Sequence, residues 1–138
     1  MLSITSTTIR LFLHVVAATV WVGGQLTLAG LVPTLRAIDP GAPKAVARQF
    51  NRIAWPAFAV LVITGVWNLV EVEVGDRSTA YQVTLFAKLC IVALSGIAAF
   101  LHTQARTRTG LALWGAVGGL ATIVALFLGV LLSANPFG

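Results

Sequence analysis

The chain has 138 residues, of which 58% are hydrophobic and only 9% charged, with a mean hydropathy of +0.94 and a net charge of +5. A soluble domain carries about a quarter charged residues, so this composition excludes one and indicates a membrane protein. The single cysteine, Cys90, excludes an internal disulfide and a cysteine-paired metal site, and so sparse a positive balance does not indicate nucleic acid as a partner.

Four apolar stretches, at residues 11–35, 53–70, 82–101 and 111–132, approach or exceed the roughly 20 residues that cross a bilayer as a helix. They predict an all-α, polytopic fold: one domain over residues 1–138, built as an antiparallel four-helix transmembrane bundle. Only Lys88 puts a formal charge inside any stretch.

The first stretch follows Arg10 and is longer than the roughly 7–15 apolar residues of a signal peptide, so it reads as a retained span. His14, Ala18, Trp21 and Gln25 recur at helical spacing and are expected on one face. Trp21, deep in the span beside Gly23 and Gly24, reads as a packing or cavity-lining residue. Pro40 and Pro43 end the first helix, and the connection to the second carries Arg36, Lys44, Arg48 and Arg52 against Asp39. Lys44, Arg48 and Arg52 oppose Val46, Phe50 and Ile53, a lipid-facing basic loop of one or two amphipathic turns that either touches anionic headgroups or anchors topology.

The second stretch contains Pro56 and the polar pair Thr64 and Asn68. It leads to a loop with Glu71, Glu73 and Asp76 against Arg77. Trp55, Trp67 and Trp114, near span ends, fit an aromatic belt. On the third stretch, Lys88, Ser95 and His102 share a face, and Cys90 reads as an inert core thiol. The following loop is basic, with Arg106 and Arg108, and His102 beside it reads as a solvated helix end. The fourth stretch presents Gly115, Gly118, Gly119, Thr122, Ala125 and Gly129, a small-residue surface suited to close helix approach.

The two basic loops fall on one side of the membrane, which the positive-inside rule makes cytoplasmic, so both termini are expected outside the cytoplasmic (inner) membrane. With that orientation His14, Asn68, Lys88 and the Ser133–Asn135 segment all lie near the outer surface. They are the expected members of one shallow, outward-facing polar site. Lys88 and His14 also have a simpler reading, in which each leans outward to the interface without ligand duty. His102 is about 20 Å from Lys88 at the helical rise, too far to share an ion with His14.

The segment His14-Val-Val-Ala-Ala-Thr-Val-Trp21-Val-Gly23-Gly24, then Phe50-Asn-Arg52-Ile-Ala, Thr64-Gly65 and Phe86-Ala-Lys88-Leu89, resembles the copper-resistance D (CopD) family in order along nearly the whole chain. That resemblance implies copper handling at the cytoplasmic membrane, with His14 at the metal. The helix pattern is also similar to that of the HemJ-type protoporphyrinogen oxidases. This second likeness implies haem b, with His14 axial and Lys88 as second ligand or propionate partner, and Asn68 and Trp21 in the cofactor site. A third class is an accessory subunit in the lipid bilayer, a homo-oligomer or part of a larger membrane complex, docked through its glycine face. A hydrolase is not expected, since every acid falls in a loop and no nucleophile–base–acid set is visible. The sulfur donors open to copper are Met1 and Cys90.

Overall fold

The computed structural model describes residues 3–135. Four helical segments are long and apolar enough to cross a membrane, Ser6–Ile38, Ala42–Glu71, Thr79–Gln104 and Arg108–Ala134, and no strand occurs among the described residues. Large apolar side chains such as Phe12, Val15, Ile63, Phe86, Leu120 and Phe127 point outward. An outward apolar surface is what hydrocarbon solvates, and small or polar residues such as Ala17, Thr64, Ser95, Ala98 and Thr122 take the buried positions. Met1, one of the sulfur donors, lies outside the described residues.

The chain divides into two compact units between Val72 and Glu73. In the first unit, α1 (Ser6–Ala18) continues through a π-helical segment, Thr19–Gly23, into α2 (Gly24–Ile38), and α3 (Ala42–Glu71) returns antiparallel. Thr5 caps α1 in a reciprocal box with Thr8, whose N–H donates to Thr5 Oγ1 at 3.2 Å. The helix therefore starts well before the first apolar stretch and takes in Arg10. The π-helical segment widens the helix around Trp21, Val22 and Gly23, and Trp21 and Val22 are both buried although adjacent in sequence. On the face expected for His14, Ala18, Trp21 and Gln25, Ala17 rather than Ala18 is the buried alanine.

Three residues link α2 to α3. Asp39 accepts the Gly41 N–H at 2.6 Å through its carboxylate, and Pro43 lies in the first turn of α3, where a missing N–H costs nothing. Lys44, Arg48 and Arg52 are thus not in a loop: they lie on the first three turns of one continuous 30-residue helix. Phe50 on that segment packs against Gly24 at the head of α2, where an added Cβ would collide with the ring. In the same unit the ring of Trp55 meets Trp21 at 5.6 Å between centroids in an edge-on contact.

In the second unit a 3-10 turn, Val74–Asp76, leads to α4 (Thr79–Gln104) and α5 (Arg108–Ala134). The Gln82 amide holds that turn against α4 by donating to the carbonyls of Val74 at 3.2 Å and Arg77 at 2.9 Å. α4 and α5 pack antiparallel along small residues, with Gly118 against Ala98, Gly115 against His102 and Gly129 against Lys88. Thr122 donates its hydroxyl to the Gly118 carbonyl, so its polar group is satisfied within α5. Gly119 points into open space and is not part of this seam. Cys90 is exposed on α4, which corrects its reading as a core thiol.

Gly24→Ala is expected to lower stability by about 1–3 kcal/mol through overpacking against Phe50. Gly119→Ala should leave stability unchanged or raise it by up to about 1 kcal/mol, the helix-propensity gain alone. Thermal unfolding in mild detergent, with Phe50→Leu added to relieve Gly24→Ala, measures both.

Candidate functional site

Polar groups within an apolar span have to find partners in the protein, and α1 and α3 do so on facing stripes. The stripe on α1 and the π-helical segment that continues it is Arg10, His14, Ala17 and Trp21. The stripe on α3 runs the other way through Trp55, Phe58, Thr64, Trp67 and Glu71. Their contacts form three levels along the hairpin.

At the level nearest the α1 start, Arg10 is 5% exposed, and its Nη1 lies 3.5 Å from Glu71 Oε2. Its guanidinium also lies 5.9 Å from the centre of the Trp67 ring, within cation–π range. Trp67 donates Nε1–H to the other Glu71 oxygen at 3.1 Å, so the single carboxylate ties together a residue of each helix. Sequence reasoning missed Arg10, treating it as the flank of the span, and placed Glu71 in a loop, whereas it ends α3. The available signal was spacing: Arg10 precedes His14 by four residues and Glu71 follows Thr64 by seven.

One turn deeper, His14 Nδ1 and Thr64 Oγ1 are 2.8 Å apart. Thr64 is 2% exposed, and its hydroxyl lies 2.7 Å from the Val60 carbonyl and 3.2 Å from that of Leu61. A hydroxyl has one proton, and two carbonyl acceptors claim it, which leaves the Thr64 oxygen as the acceptor for His14. His14 therefore donates from Nδ1–H, and its lone pair is on Nε2. Gly65 lies beside the ring, where an added Cβ would make ordinary contact with Cε1 at 3.7 Å.

At the third level Trp21, 3% exposed, stacks in a tilted contact with Phe58 at 4.4 Å, and Trp55 meets Phe58 edge-on at 5.9 Å. Trp21 thus packs within an aromatic cluster. Asn68 is half-buried on α3, one turn from Thr64 toward Glu71, and its carbonyl accepts the Val72 N–H that ends the helix.

The remaining expected site residues belong to the second unit. The ammonium of Lys88 lies over α5 where Gly129 has no side chain, 3.2 Å from the position of a Cβ there. His102 is exposed yet anchored, because its Nδ1 donates to the Leu111 carbonyl at 2.9 Å and its ring covers Gly115. It is therefore part of the α4–α5 turn rather than a free solvated end. Gly115, Gly118 and Gly129, expected to receive a partner, are taken up by α4 itself. A cavity of about 280 Å³, lined by Tyr81, Thr84, Leu131, Leu132 and Asn135, lies at the end of this hairpin where α4 begins. Among the described residues no three His, Cys, Asp or Glu side chains come together as a metal site.

Residues 44–134 match the family described as copper resistance protein D. The matched stretch begins in the first turn of α3 and ends at the last residue of α5, so α1 with His14 precedes it. No curated protein and no solved structure matches the chain.

The ion pair makes an asymmetric prediction. Glu71→Gln leaves the Arg10 charge buried and is expected to cost about 1–3 kcal/mol, less than a fully buried pair because Glu71 is half-exposed. Arg10→Met removes the buried charge and should cost little. In an Arg10→Met background, Glu71→Gln should then be nearly silent, a coupling that a double-mutant cycle of unfolding free energies reads directly.

Proposed function

The chain belongs to the copper resistance protein D family, and from that premise we propose that it handles copper at the cytoplasmic membrane, with His14 as the residue that meets the ion. The observation that supports this is the fixed imidazole of His14. The bond from Nδ1–H to Thr64 sets the tautomer and the ring plane, as the outer partners of metal-binding histidines do, and presents Nε2 as the donor nitrogen. The matching stretch adds the family, and the seam of Arg10, Trp67 and Glu71 holds α1 and α3 in register one turn away.

The donor set does not fit a resident copper centre, since one imidazole is not joined by two further His, Cys, Asp or Glu ligands among the described residues. Copper is accordingly cargo, touched by His14 and completed by other ligands in passage. The basic residues of the α3 start, with Arg106 and Arg108, support a cytoplasmic side for those ends of the helices, and on that reading His14 lies toward the outer surface.

Haem b is a second reading with its own support, the donor count. A porphyrin carries its own four nitrogens, and His14 would be the residue to hold its iron, through Nε2.

Protein purified in mild detergent separates the two. Under the copper reading, added copper binds without a Soret band, His14→Ala abolishes that binding, and Thr64→Val weakens it by about 10–100-fold through loss of the orienting bond. A Soret band that disappears in His14→Ala overturns copper in favour of haem. Copper binding that is equal in wild type and His14→Ala removes His14 from the site.

A further inference from the structure

We propose that the first three turns of α3 form a binding surface for the phosphodiester headgroups of anionic phospholipids, contacted by Lys44, Arg48 and Arg52. The length of α3 makes room for it. Thirty residues span about 45 Å at the helical rise, whereas the hydrocarbon core is about 30 Å thick, so about ten residues lie beyond it. The excess falls at the Ala42 end, because residues 53–70 carry no charge and Trp67 and Glu71 mark the other boundary.

On this extension the three basic residues are four apart, which sets them along a single stripe, and all three are exposed. No acidic residue occurs between Lys44 and Val70, and the nearest acid, Asp39, is engaged by the Gly41 N–H. Phe50, turned away from the stripe, is seated on Gly24, and this fixes the rotation of the segment with its charges outward. Val46 and Ile53, both exposed, also lie on the side away from the stripe and supply an apolar surface for the upper acyl region. A helix with one basic and one apolar side, fixed at the level of the headgroups, matches the charge of an anionic leaflet.

The test uses the whole protein in mixed micelles. Phosphatidylglycerol, but not phosphatidylcholine, is expected to raise the unfolding temperature. The combined variant Lys44→Gln, Arg48→Gln, Arg52→Gln should lose that shift and bind phosphatidylglycerol about a hundredfold more weakly, with the wild-type effect fading as salt rises. A charge-keeping variant, Arg48→Lys with Arg52→Lys, retains the shift and keeps the test valid if the neutral variant folds poorly. Two results overturn the proposal: an undiminished phosphatidylglycerol shift in the neutral variant, or an equal shift from inorganic phosphate, which would make the site one for free anions.

Discussion

Hydrocarbon offers no hydrogen bonds, so a polar side chain carried into a span has to be answered within the protein, and for Arg10 and His14 the answer comes from α3. That requirement organises the first unit. Arg10 is met by Glu71 and Trp67, and His14 by Thr64, and in both cases the partner on α3 is itself constrained by its own helix. Thr64 can accept from His14 because its proton is committed to the backbone one turn before. Glu71 can face Arg10 because Trp67 holds its other oxygen. The aromatic cluster of Trp21, Trp55 and Phe58 closes the seam through ring-to-ring contacts. The register of the hairpin, and with it the orientation of His14, follows from these matched pairs.

The second unit answers the same solvent differently. Its helices approach through glycines of α5 set against side chains of α4, where van der Waals packing is the main adhesive. Gly118 lies against Ala98 in the middle of that line, and the two polar residues at its ends, Lys88 and His102, are laid over Gly129 and Gly115. A side chain at those glycines would displace them. The stripe of small residues thus serves the pairing of α4 with α5, and Gly119 is the member that remains outside it.

The spans were legible in the sequence because hydropathy reports the solvent directly, and the family was legible because its pieces recur in order. The structure gives part of that order a physical reason: Gly24 receives Phe50, and Thr64-Gly65 receives His14. What the sequence hid are effects of helix continuation. Arg10 looked like a flank because apolar runs mark hydrocarbon, whereas the Thr5 cap starts the helix earlier and carries Arg10 into the hairpin. Lys44, Arg48 and Arg52 looked like loop residues because charge was taken to end the helix, whereas α3 continues through them. The π-helical segment gave no sign in a face drawn at regular spacing, and an outward Cys90 cannot be told from an inward one by hydropathy, since lipid and core are both apolar.

The orientation of His14 is the point from which the functional reading proceeds, and nitrogen-15 resonances of its ring measure it without reference to any ligand. At mildly alkaline pH the account predicts a neutral ring protonated on Nδ1, with Nε2 unprotonated, and loss of this preference in Thr64→Val. A ring protonated on Nε2 in the wild-type protein, with the lone pair facing Thr64, would contradict it.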